Sequence, residues 1–120
     1  MTTTSARAAD TFFAAAAAGD WDGMRAVVAE DAVFWQNVDG AERGVEQVIR
    51  YTGKLMRTGG FEYRDVRRLL ADDGFCEQHT VRFHDAAGAT TAEYAVCVVA
   101  RVDEAGLITR LDEDLDGSPG

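Results

Sequence analysis

Proline is almost missing from this chain: Pro119 is the only one among 120 residues. Nor does any stretch have the Pro- or Ser-rich composition of a linker or the period of an internal repeat. Residues 1–116 are therefore read as one domain, and Gly117-Ser118-Pro119-Gly120 as a tail expected to be disordered. Lysine is nearly absent too. Lys54 stands alone, and 12 Lys and Arg face 21 Asp and Glu, a formal net charge of −9. Phosphate contacts need clustered basic side chains, so this balance excludes nucleic acid as a partner. It also repels anionic membranes and anionic substrates, which leaves neutral or cationic small molecules.

The longest apolar run, Phe12 to Ala18, is far too short to cross a bilayer. The opening residues, Met1 to Arg7, lack the basic start and apolar core of a signal peptide, so a cytoplasmic location is expected. Cys76 and Cys97, with His79 and His84 as the available imidazoles, form no metal-ligand spacing. Neither a metal nor an organic cofactor is expected, and both thiols are expected free and reduced.

What the chain does have is two different periodicities. The 47% apolar content suits one packed core. Alanine, the strongest helix former, dominates a predicted helix from Ser5 to Ala18 that packs through Phe12, Phe13 and Ala16 and ends at Gly19. Asp20 is placed to cap a second helix, Trp21 to Ala29, with Trp21, Met24, Val27 and Val28 inward. A strand from Ala32 to Asn37 and a third helix from Val45 to Arg57 follow, the helix closed by Gly59-Gly60. Beyond that point the pattern is β: Phe61 to Ala71, Phe75 to His84, Thr90 to Val102 and Leu107 to Leu115. Asp72-Asp73-Gly74, Asp85-Ala86-Ala87-Gly88 and Asp103-Glu104-Ala105-Gly106 separate these strands. Helices first and an antiparallel meander afterwards predict an α+β domain, one curved sheet folded over a long helix.

Alternation within the strands picks out polar intruders. Phe75, Glu77, His79, Val81 and Phe83 share a face with apolar ends, which makes it the core face. Leu107, Thr109, Leu111, Glu113 and Leu115 share another, with Glu113 among leucines. An acid so placed has a raised pKa, which suits general acid or base work. Glu113 has a structural reading as well, an ion pair with Arg67 or Arg68, and His79 can equally be a core histidine bonded to a neighbour. The apolar strand Val33-Phe34-Trp35 ends in Gln36-Asn37. A buried amide costs about 1–3 kcal/mol unless it finds partners, so these residues either cap a solvated strand end or face a ligand.

Gly19-Asp20-Trp21, Glu30-Asp31-Ala32-Val33, Trp35-Gln36-Asn37 and the closing Gly106 to Asp116 together resemble the nuclear transport factor 2-like superfamily. The likeness is to its SnoaL-like and limonene-epoxide-hydrolase-like branch. The resemblance implies a cone-shaped α+β fold, three N-terminal helices packed in a strongly curved, mainly antiparallel sheet. It also implies a pocket acid on the last strand, at Glu113, and an aromatic-x-Asn pair at Trp35 and Asn37. The branch's epoxide hydrolases carry an Arg-x-Asp pair where this chain reads His79-Thr80-Val81-Arg82, so that relay does not transfer. The ketosteroid isomerases use a tyrosine and two acids, whereas here Phe12 and Phe13 occupy the first helix and Gln36-Asn37 the first strand.

The expected function is a cofactor-independent enzyme acting on a neutral, mostly apolar molecule. Glu113 and His79 would be catalytic, and Trp35, Asn37, Tyr51, Tyr94 and Arg68 would contact substrate. A non-catalytic ligand-binding or dimerisation module is the rival. A homodimer through the outer sheet face is expected, because Cys76, Thr80, Ala95, Cys97 and Val99 make that face partly apolar.

Overall fold

In α1 (Thr4–Ala18) Ser5, Ala8, Ala9, Phe12, Phe13, Ala15 and Ala16 are buried, the i, i+3, i+4 spacing of a helix packed along one stripe. The structure, a computed structural model, describes residues 3–119. The Thr3 side chain accepts from the Ala6 N–H at the start of α1, and Gly19 ends it with φ 71, a left-handed conformation that favours glycine. Asp20 then accepts from Gly23 N–H at 3.0 Å and starts α2 (Trp21–Ala26).

The rest of the chain is β1 (Val28–Gln36), β2 (Glu42–Arg43), α3 (Val45–Arg57), β3 (Phe61–Ala71), β4 (Gly74–His84), β5 (Thr90–Val102) and β6 (Ile108–Pro119). The sheet runs β2-β1-β6-β5-β4-β3, with β1–β6 the parallel pair and every other neighbour antiparallel. α1 lies across β3, β4 and β5, and α3 lies on β1, so the helices fill the inside of the curved sheet. Phe12, Phe13, Phe34, Phe75, Val98, Ile108 and Leu111 meet in the core between them.

Four local expectations are corrected. The second helix stops at Ala26, because Val28 pairs with Ile108 and the Ile108 N–H bonds the Val27 carbonyl at 2.8 Å. Sheet pairing by β-branched residues overrides a weak helical pattern there. On β6, Ile108 and Leu111 are both buried because the register shifts between them, so the inward phase expected at Leu107 and Thr109 holds only from Leu111 onward. Gly74 is the first residue of β4, with Ala71 directly opposite. Its role is close approach: an added Cβ would lie 2.2 Å from the Ala100 carbonyl oxygen. Residues 117–119 extend β6 opposite Ala92 to Tyr94 in place of the expected disorder, since backbone pairing along β5 needs no side chain; Gly120 lies outside the described residues.

Among the described residues no helix is long and apolar enough to cross a membrane. Cys76 and Cys97 are free thiols on the sheet face opposite His79, as alternation requires.

Candidate functional site

Between α1, α3 and the inner sheet face lies a cavity of about 650 Å³. Its walls are mainly aromatic: Phe12 and Phe13 from α1, Phe34 from β1, Phe61 and Tyr63 from β3, and Tyr94 from β5. Edge-on contacts hold this lining together, with Phe13 packed against both Tyr63 and His79 at ring distances of 5.3 Å. At the rim, Arg43 pairs with Asp39 and holds that carboxyl down to about 2. The rim's charges are thus matched before any ligand arrives.

Two polar groups interrupt the apolar wall deep inside. Glu113 comes from β6, where the parallel register with β1 sets Phe34 beside Leu111 and Gln36 beside Glu113. The Gln36 amide donates from Nε2 to Glu113 Oε1 at 2.6 Å. Burial raises the Glu113 carboxyl above the ordinary carboxylate range, and the Gln36 hydrogen bond and nearby His79 only partly pull it back. Tyr63 is also pushed up, by burial first and then by the negative charges of Glu113 and Glu77, so its phenol stays protonated.

His79 is the second group. It is 4% exposed, on the inward face of β4 with Phe75, Glu77 and Val81. Its Nδ1 lies 2.5 Å from Glu77 Oε2, while its Nε2 is buried with no hydrogen-bond partner among the described residues. The ring lines the cavity. A buried polar atom without a partner is uncommon in folded proteins, which sets this ring apart from the rest of the wall.

The structure brings Glu113, His79, Tyr94, Tyr51 and Trp35 to the cavity. Tyr51 is 57% exposed and stands at its mouth. Trp35 borders the cavity, but alternation gives the inward positions on β1 to Phe34 and Gln36. Two expected contacts do not reach it. Asn37 brackets β1 onto β6, donating from Nδ2 to the Leu115 carbonyl at 3.2 Å and accepting the Leu115 N–H at 2.9 Å. Its amide copies a backbone pair, so Gln36 is the amide that serves the site.

Arg68 is the other. Its Nη2 and Nε lie 2.6 and 2.7 Å from Glu77 Oε1, and its Nη1 lies 2.6 Å from Asp10. The pairing open to Glu113 with Arg67 or Arg68 is therefore not made, because Glu77 takes Arg68. A one-residue bulge at Asp65, whose φ is 55, produces this arrangement. Tyr63 pairs with Val81 before the bulge and Arg68 with Glu77 after it, so both face inward while Arg67 faces out beside Gln78. Tyr63 escaped the sequence reading, and of the two amides weighed at the end of the first strand it chose Asn37 rather than Gln36. Continuing the alternation from Phe61 and from Phe34 finds both.

The cavity and its polar pair can now be set against known proteins. The family model described as the SnoaL-like domain matches residues 9–111, which contain His79 and stop short of Glu113. Among curated proteins, none matches the sequence. Of the solved structures, an LEH-like epoxide hydrolase from Mycobacterium tuberculosis is 25% identical, with 96% of this chain and 84% of that one covered at a TM-score of 0.78. A polyketide-cyclase candidate from Xanthomonas campestris is 21% identical over 94% of this chain and 90% of that one, with a TM-score of 0.77. Another Mycobacterium tuberculosis protein, in complex with estradiol-17β-hemisuccinate, is 21% identical and shares the fold with a TM-score of 0.73, covering 92% of each chain. The chain belongs to the SnoaL-like domain family.

Proposed function

We propose that this protein is a small-molecule enzyme that transfers protons, without a cofactor, on a neutral and mostly apolar substrate. The reaction is an isomerisation, cyclisation, dehydration or water addition. One observation carries the reading: Glu113, a carboxyl with a raised pKa, and His79, whose Nε2 has no hydrogen-bond partner among the described residues, line the same aromatic cavity. A carboxyl that burial pushes toward its protonated form has a proton to give, and an imidazole with a free ring nitrogen has a lone pair to take one, so the pair offers an acid and a base. The volume suits a molecule of several rings. The net charge of −9 and the matched rim pair favour an uncharged one. The names of the structural relatives, an epoxide hydrolase and a cyclase candidate, are consistent with such chemistry.

The test incubates the protein in D2O with a panel of neutral polycyclic ketones and apolar epoxides, reading deuterium uptake and diol formation by mass spectrometry. Turnover is expected, and Glu113→Gln should lower it on the order of a hundredfold while ligand binding persists. Tight binding without turnover of any panel member would replace the enzyme by a non-catalytic binding module.

The same reading includes a homodimer through the outer sheet face. Leu69, 77% exposed, and Val99, 50% exposed, flank Cys76 in one row across β3, β4 and β5. Burying that row removes an apolar patch from water. Light scattering that gives a monomer at micromolar concentration would end this part of the proposal.

A further inference from the structure

Glu77 lies off the cavity lining, yet its surroundings determine what the cavity contains. It is 1% exposed, and both of its oxygens are engaged. Oε1 takes the Arg68 guanidinium from two nitrogens, and Oε2 faces His79 Nδ1 at 2.5 Å. Asp10 on α1 holds the far side of the same guanidinium. The chain Asp10–Arg68–Glu77–His79 thus runs from the protein surface to the cavity wall, and its last atom, Nε2, has no partner among the described residues.

The chemistry of the four groups fixes the protons. Arg68 is always charged, and a carboxylate taking bonds from it inside the protein remains ionised. An ionised carboxylate can only accept, so Nδ1 must carry the hydrogen in the 2.5 Å contact. With one hydrogen on the neutral ring, Nε2 is left as a bare lone pair, on a ring that lines the cavity. When Nε2 takes a proton, the imidazolium gains its countercharge from Glu77.

We propose that Glu77 is a positioning residue that, held ionised by Arg68, locks His79 in the Nδ1–H form and so makes Nε2 the base of the site. The inference rests on the acid/base reading of the cavity, but its test does not depend on turnover. His79 and His84 are the only histidines in the sequence, so the ring nitrogens of the 15N-labelled full chain are assigned by comparison with His84→Gln. At a pH where the ring is neutral, the wild type should show His79 with Nδ1 protonated and Nε2 bare.

Glu77→Gln tests the cause. The Gln carbonyl still accepts from Arg68 and its NH2 turns to Nδ1, so the ring should switch to the Nε2–H form. Turnover on any reactive panel member should then fall on the order of a hundredfold through kcat, with KM little changed, because Nε2 no longer starts as a base. If Glu77→Gln alone does not fold, Glu77→Leu with Arg68→Met removes both charges together, and the ring, without an acceptor at Nδ1, should lose the Nδ1–H form; a ring that keeps it there also overturns the proposal. Wild-type His79 protonated on Nε2, or a ring that stays in the Nδ1–H form in the folded Gln variant, overturns the proposal. A wild type with the Nδ1–H ring and no turnover on the panel leaves the positioning role standing and removes the enzymatic reading instead.

Discussion

Glu77 and Glu113 are both acids set into apolar wall, on strands separated only by β5, and their situations are opposite. Glu77 is saturated: Arg68 fills one oxygen and His79 the other, and it is not among the residues that line the cavity. Glu113 has a neutral amide, Gln36, on one oxygen, and it lines the cavity. Burial alone therefore does not make a working acid. What separates the two is the charge partner. A carboxylate matched by a guanidinium is a fixed countercharge, while a buried carboxyl matched only by an amide is pushed toward its protonated form.

That contrast can be broken by substitution, most strongly at Glu77. Glu77→Ala leaves the Arg68 guanidinium without its buried partner, and unfolding in urea should show a loss of about 3–5 kcal/mol. Glu113→Gln, which strands no charge, should lose far less, and comparable losses at the two sites would mean that Glu113 is also half of a structural pair. Asn37→Ala removes both bonds to the Leu115 backbone and should cost about 1–2 kcal/mol in the same experiment, with ligand binding in the cavity retained.

The pH dependence sharpens the comparison. Folding raises the Glu113 pKa, so the folded protein holds that proton more tightly than the unfolded chain does. The associated stability is complete below the unfolded value, about 4.3, and is lost as pH climbs through the folded value. Melting temperatures of wild type and Glu113→Gln should therefore diverge in that window, with the variant gaining on the wild type as pH rises. A constant difference across it would put Glu113 at an ordinary pKa. Gln36→Leu deletes the bond that lowers this pKa, so the carboxyl resonance of Glu113 should titrate at higher pH than in the wild type. The smallest effect belongs to Asp10→Asn. Asp10 is two-thirds exposed and Glu77 still holds Arg68, so the loss should stay within about 1 kcal/mol, and a larger one would move the weight of the network to its surface end.

Much of the fold was open to reading from the chain. α1 with its Gly19 stop, the Asp20 cap, α3 and the spans of β3 and β5 follow from spacing, capping chemistry and turn residues that act within a few positions. The inward face of β4, and with it His79, followed from alternation alone. The misreadings sit where a partner distant in sequence decides: the start of β1, set by Ile108; the phase of early β6, set by its bulge; and the run of β6 to Pro119, set by β5. At the site the same division holds. Glu113 stood out as an acid among leucines, but the choice of Gln36 over Asn37 as its amide partner needed the parallel register of β1 on β6.

The sequence by itself determined which residues alternate, which helices begin and end where, and which polar side chains fall on apolar faces, because those properties depend on neighbours along the chain. Only the tertiary structure decided that Arg68 faces inward and belongs to Glu77. That outcome hangs on one extra residue at Asp65, which flips every later side chain of β3 to the other face. Among the described residues it also left Glu113 without a salt bridge, its oxygen held by the Gln36 amide. Charge pairing acts across a few ångströms of space between strands far apart in sequence, and no local pattern encodes such a distance.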